Sequence, residues 1–193
     1  MSIRNRIRNA SKEVLSDAWS VLTRHTFEWH HSNGEWQQQV RETYDRGDGV
    51  AILLYNAERR AVILTRQLRY PTVVNGWDEM MVEVPAGALE GGDPEITMAR
   101  EVEEETGYRV HGLKRIFEAF MSPGAVTEAI YFFVGTYLPD DRVSEGGGLV
   151  EEGEDIEVLE TGFDEAMAMI ADGRIRDAKT IMLLQYAALN VFN

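Results

Sequence analysis

Cysteine is absent from the 193-residue chain, which excludes disulfides and thiolate metal sites and makes a reducing compartment, the cytoplasm, the expectation. Positive charge is scarce as well: 19 Lys and Arg face 33 Asp and Glu, a formal net charge of −14. Nucleic-acid binding depends on cations that displace counterions from phosphates, so no nucleic-acid partner is expected. A small phosphate-bearing substrate stays open where a metal or a few local cations offset the repulsion. Long apolar runs are missing. Stretches such as "AIYFFVG" at 129–135 fall far short of the roughly 20 residues that span a bilayer, so no membrane association is expected. The basic opening "MSIRNRIRNASK" lacks an apolar core of signal-peptide length and reads as a solvated N-terminus.

The residues present are those of an ordinary folded domain, because 44% hydrophobic and 27% charged residues leave no room for disorder as an explanation of the acidity. From Val21 to Trp29 apolar and polar residues alternate, and after Asn33-Gly34 the run "WQQQVRETY" alternates again, which predicts a hairpin. Strands follow at 49–56 and 61–69 across a charged turn, and at 80–87 in "MMVEVPAG". Asp93-Pro94 opens a helix that Thr106-Gly107 closes. Strands near 113–120, 129–138 and 156–160, a Gly-rich acidic loop at 144–155 and two C-terminal helical patterns complete the chain. The expected fold is α+β or α/β, a mixed sheet sandwiched by helices. It is preceded by an N-terminal β-rich arm over 1–45, with the main domain over 46–193.

"AREVEEETGYRV", residues 99–110, concentrates four glutamates on one helix with no lysine among them. Like charges three or four residues apart cost roughly 0.2–0.5 kcal/mol per pair. At roughly 100° per residue, Glu104 lies about 60° to one side of Glu101 and Glu105 about 40° to the other, so three carboxylates share a face that Glu103 does not. Such a face suits a hard divalent cation, which prefers oxygen ligands and completes its shell with water and substrate phosphates. A solvated charged face is the commoner meaning of three acids alone. The setting decides for the site: strand, glycine turn, Asp-Pro helix start, Arg100 and Gly107 form one ordered unit from Gly87 to Tyr108.

That unit resembles the box of the Nudix hydrolases, a glycine, a loop, a glutamate and then Arg-Glu-hydrophobe-x-Glu-Glu-x-Gly-hydrophobe. "REVEEETGY", from Arg100 to Tyr108, matches every defined position of the second half. The first half is one residue shorter between Gly87 and Arg100, and Asp93 stands where glutamate is expected. "RQLRYPTVVNG", "FEAFMSPGAVTE", "GGGLVEEGEDIEVLE" and "GRIRDAKT" extend the likeness to the nucleotide-sugar pyrophosphatase branch, above all its bacterial GDP-mannose hydrolases. The resemblance implies hydrolysis of a diphosphate held between nucleoside and sugar, GDP-mannose giving GMP and mannose 1-phosphate, with ADP-ribose the rival substrate. A Nudix-like binding module without catalysis is the reading of a different class; intact Glu101, Glu104 and Glu105 speak against it.

The same resemblance implies Mg2+, which Mn2+ can replace, held by Glu101, Glu105, the carbonyl of Ala86 and the loop acid Glu154. Glu104 supports the cluster, and Glu154 is the expected base, with Glu151 and Glu152 as alternatives. Substrate contacts are expected from Ala86, Gly87, Glu105, Arg69, Arg41 and Lys179. The two arginines offer fork-shaped donors to phosphate oxygens and the lysine a point charge. Trp19 is expected to stack on the base, and Glu42 and Glu128 to accept hydrogens from sugar hydroxyls. Gly146 to Gly148, with no lysine and helix behind them, read as a hinge for the acidic loop rather than a phosphate cradle. The apolar residues of the arm, Trp19, Val21, Phe27, Trp29 and Trp36, predict a homodimer held partly by residues 12–45.

Overall fold

The computed structural model describes residues 2–193, which form two units. The first comprises the chain up to Asp48 and the segment Phe120–Ala129. The second comprises Gly49–Ala119 and Ile130–Asn193.

The first unit is a three-stranded antiparallel sheet of β1 (Ile7–Asp17), β2 (Val21–His30) and β3 (Trp36–Asp45), in that order. The hairpin of β2 and β3 runs in unbroken register from Val21 opposite Asp45 to His30 opposite Trp36. A strand also occupies part of the opening that reads as a solvated terminus. β1 pairs with β2 through two irregularities, between Arg8 and Ser11 and between Val14 and Ser16. The sequence conceals it because most of its side chains are polar, and two arginines, one just before β1 and one within it, lie over rings of β2 and β3. The Arg6 guanidinium lies 4.3 Å from the Trp29 ring centre, and that of Arg8 lies 3.9 Å from Trp36. The segment after Phe120 joins this unit at the end of β3, where the Tyr44 amide donates to the Ala125 carbonyl and the Thr127 amide to the Tyr44 carbonyl.

The second unit carries a seven-stranded mixed sheet. Its path is β10 (Glu157–Gly162), β5 (Ala61–Gln67), β4 (Gly49–Asn56), β9 (Ala129–Thr136) and β8 (His111–Phe120). β4 and β9 are parallel, and β5 runs antiparallel to both its neighbours in the path. A strand covered on both faces should read as a continuous apolar run, and β4 and β5 do. Val50, Ile52 and Leu54 form a core with Met98, Val102, Phe133 and Tyr137, while the alternate residues Ala51 and Leu53 are equally buried on the opposite face.

The single strand expected over 80–87 is two. β6 (Met81–Glu83) pairs with β5, and β7 (Ala86–Ala88) pairs with β4. Pro85 has no amide to give a ladder, and its carbonyl accepts from Ile52, so the chain changes partner there. The strand predicted over 61–69 ends at Gln67, and α1 (Tyr70–Val74), with proline in its first turn, follows. α2 (Pro94–Thr106) packs against β4, β5 and β7; α3 (Phe163–Asp172) and α4 (Ala178–Asn190) close the chain. Among the described residues no helix is long and apolar enough to cross a membrane.

Candidate active site

α2 is built by its ends. Asp93 accepts hydrogen bonds from the Glu95 and Ile96 amides as N-cap, Pro94 occupies the first helical position, and Gly107 closes the helix in the left-handed conformation. Buried Met98 and Val102 fix its rotation against β4. That rotation buries Glu105 to 1% exposure, leaves the Glu101 side chain 13% exposed and turns Glu103 outward to within 3.7 Å of Arg109. Glu104 stays near Glu101, because Arg100 bridges them at 2.7 Å to Glu101 and 2.9 Å to Glu104.

β7 supplies the floor. The Ala86 amide donates to Glu105 Oε2 at 3.2 Å, and the Glu101 carboxylate lies so close over Gly87 that a β-carbon there would collide with it. Glycine at 87 is thus a requirement of the carboxylate's position.

The acidic loop is brought to the same place by its glycines. The Gly147 amide donates to the Glu105 carbonyl at 2.9 Å and that of Gly148 to the Glu104 carbonyl at 3.1 Å. Those carbonyls are orphans of the helix C-terminus, so the loop satisfies them and is pinned in return. Glu154 then folds back over Gly148, its Oε2 accepting from the Leu149 amide at 2.8 Å.

The electrostatics follow from this crowding. Burial pushes the Glu101 carboxyl up to about 7; Arg100 opposes the shift, and Glu104, Glu154 and Glu152 add to it. Burial also raises Glu105 well above the ordinary carboxylate range, against the pull of the Ala86 amide and with further push from Glu101 and Glu154. Among the described residues no three acidic or imidazole groups stand close enough to grip an ion as they are placed. Arg100 occupies two of the carboxylates. The donor set nonetheless fits a hard divalent cation: its side chains offer only oxygens, and two of them carry charge with difficulty, through burial first and neighbouring carboxylates second, until a cation stands beside them.

Beside this face lies a cationic pair. Arg69 Nε donates to Glu83 Oε2 at 2.8 Å, and Lys179 Nζ stands 2.6 Å from Asp177 and 3.9 Å from Glu83 Oε1. Burial works against the Arg69 charge, but Glu83, Glu105 and Asp177 outweigh it and hold the guanidinium charged. Glu83 and Asp177 were not singled out among the candidates. Glu83 could have been, as the lone charge inside the apolar run "MMVEVPAG". Asp177 is also the N-cap of α4 through the Thr180 amide and hydroxyl.

The second unit thus brings Arg69, Ala86, Gly87, Glu101, Glu104, Glu105, Glu154 and Lys179 into one neighbourhood. Glu151 and Glu152 lie on the same loop, and Trp19, Arg41, Glu42 and Glu128 belong to the first unit. Trp19, in the turn between β1 and β2, is 96% exposed. Arg41 donates to the Val40 carbonyl, Glu42 pairs with Arg24 at 3.2 Å, and Glu128 with Arg46 at 3.3 Å. As successive residues of β3, Arg41 and Glu42 point to opposite faces of the sheet. His25 and His30 serve that sheet structurally, on the Thr43 hydroxyl and the Gly34 carbonyl.

Residues 6–44 match the family model of the GDP-mannose pyrophosphatase NudK N-terminal domain, and residues 45–183 match that of the NUDIX domain. Curated proteins named GDP-mannose pyrophosphatase align along nearly the whole chain. That of Yersinia pestis (strain Pestoides F) is 48% identical over 97% of this chain and 94% of its own. The Yersinia enterocolitica protein is 50% identical over 96% of each. The Pectobacterium atrosepticum protein is 51% identical over 92% of each.

Proposed function

Because the chain belongs to the Nudix hydrolase family, we propose that it is a pyrophosphohydrolase that cleaves the diphosphate of GDP-mannose, yielding GMP and mannose 1-phosphate. The carrying observation is the face of α2: buried Glu105 and partly buried Glu101, both raised, with Arg69 close enough to feel the charge of Glu105. The relatives' common name, at about half identity over nearly the full chain, supports the choice of substrate.

Glu101, Glu105, the Ala86 carbonyl and Glu154 would hold Mg2+, or Mn2+ in its place, and Arg100 would retain Glu104. The ion, when bound, supplies charge neutralisation for the diphosphate and lowers the pKa of water. Arg69 and Lys179 bind and orient the phosphoryl oxygens, the arginine through its fork and the lysine as a point charge. Orientation matters because the attacking water must approach phosphorus in line with the leaving oxygen. Glu154 takes the proton from that water, a carboxylate on a loop whose backbone is fixed at both ends of its glycine turn. The Ala86 amide holds one oxygen of buried Glu105 in place.

The N-terminal sheet belongs to the same reading. Trp19 is proposed to stack on the base, with Arg41, Glu42 and Glu128 contacting the substrate, and the sheet to hold a homodimer. Its exposed Ile7, Val14, Val40 and Tyr44 support a surface made to be covered. A chain without cysteine is in keeping with a cytoplasmic site. Turnover of a panel of nucleotide sugars with Mg2+ and with chelator tests the function: GDP-mannose should lead the panel, and chelator should stop it. A preference for ADP-ribose would move the substrate assignment, and full turnover in chelator would remove the metal.

A further inference from the structure

Glu83 has no part in the chemistry described so far, yet it is 4% exposed and its two carboxylate oxygens face two different cations. Oε2 takes the Arg69 Nε hydrogen at 2.8 Å, and Oε1 lies 3.9 Å from Lys179 Nζ. Its backbone is fixed independently: β6 pairs with β5 through Thr65 opposite Glu83, and the Thr65 hydroxyl donates to the Glu83 carbonyl at 3.3 Å. On the next residue, the Val84 amide donates to the Thr180 hydroxyl, which ties β6 to the N-terminus of the helix that carries Lys179. A buried carboxylate on a paired strand therefore sits between an arginine at the N-terminus of α1 and a lysine from the start of α4. Without it these two cations would face one another with only Asp177, on the lysine side, to separate them.

We propose that Glu83 is the positioning residue of the phosphate-binding pair, aiming the Arg69 and Lys179 side chains together so that one diphosphate can engage both. This rests on the proposed reaction for its substrate, though the geometry is that of any diphosphate site. Two opposite effects compete when Glu83 becomes neutral. Removing a negative charge strengthens the local positive field and by itself tightens anion binding. Removing the acceptor frees the guanidinium and the ammonium to separate, and a cation that must be reoriented binds less well. A charge-assisted hydrogen bond anchored at full burial has the larger weight, so positioning wins.

The test is Glu83→Gln in the full chain. The Michaelis constant for GDP-mannose should rise roughly ten- to hundredfold, the span of one lost charge-assisted hydrogen bond, while kcat and the half-saturating Mg2+ stay within about threefold. Calorimetric titration of the metal-free protein with inorganic pyrophosphate should show the same loss of affinity. A general structural defect would not spare the Mg2+ requirement. The coupling is read in a second background: with Arg69 and Lys179 both changed to glutamine, Glu83→Gln should cause no further loss of pyrophosphate affinity. Tighter binding in Glu83→Gln, unchanged binding, or an undiminished loss in the double-glutamine background would overturn the proposal. If the wild type turns over no GDP-mannose, the functional reading fails. Loss of pyrophosphate affinity in Glu83→Gln would then still support the positioning role.

Discussion

The two units of this chain differ most in what they bury. Of the described residues up to Asp48 none is buried, although three strands are fully formed there. In the second unit β4 alone buries seven of its eight residues. An isolated three-stranded sheet with both faces wet is marginal in water, whereas a mixed sheet carrying helices supplies its own stability. The part with a core can hold charged groups in costly places, and the part without one leaves its side chains in reach of solvent. Glu105 lies in the first category, buried and reluctant to ionise. Trp19 lies in the second.

The sharpest way to break that division is at Glu105. Glu105→Gln is expected to reduce GDP-mannose hydrolysis to near nothing while the metal-free protein melts at the same temperature or higher, because a neutral side chain suits the site better than a carboxylate does. Glu103→Gln, exposed beside Arg109, should leave turnover within about twofold, as surface changes do. Equal loss in both would mean the helix acts by bulk charge. Glu154→Gln should slow the single-turnover rate roughly 10²–10⁴-fold under saturating Mg2+ and substrate. If Glu151→Gln or Glu152→Gln collapses instead, the base has been placed on the wrong residue of the loop.

Removing residues 1–45 tests the other half of the comparison. The remaining unit keeps its core and should stay folded, but it should sediment as a monomer and lose substrate affinity, by roughly the tenfold or more that one or two lost polar contacts cost. A fully active monomer would show the sheet to be unnecessary.

A smaller effect is expected from pH. Glu101 and Glu105 are raised above their unfolded values, so the folded chain binds more protons than the unfolded one. Their contribution to stability is complete below about 4.5 and is lost as pH rises, that of Glu101 through about 7. Metal-free protein should therefore melt higher at pH 5.5 than at 7.5, by a difference that Mg2+ narrows at the higher pH. In Glu101→Gln the pH effect and the Mg2+ effect should both shrink; if neither does, the carboxylates are not the ion's ligands.

How much of this could be read from sequence depended on how local the cause was. The caps of α2 are set by Asp93, Pro94 and Gly107 themselves, and the apolar run of β4 announces burial on two faces. β1 left no such trace, since its ladder partner β2, and the Trp29 and Trp36 rings under Arg6 and Arg8, lie farther along the chain. Pro85 marked a break within "MMVEVPAG", but only the sheet shows that the break transfers the chain from β5 to β4. The glycines at 147 and 148 gave no sign of their partners, the carbonyls of Glu104 and Glu105, which are more than forty residues away. Glu83 was visible as a charge among apolar neighbours, yet its meaning lies in two cations from distant parts of the chain.

The central claim is that the buried face of α2 serves attack of water on phosphorus. Hydrolysis of GDP-mannose with Mg2+ in 18O-labelled water, followed by phosphorus NMR of the products, tests it most directly. GMP and mannose 1-phosphate are expected, with the label in a phosphate oxygen of one of them. GDP together with free, labelled mannose would place the attack at the sugar carbon and contradict it.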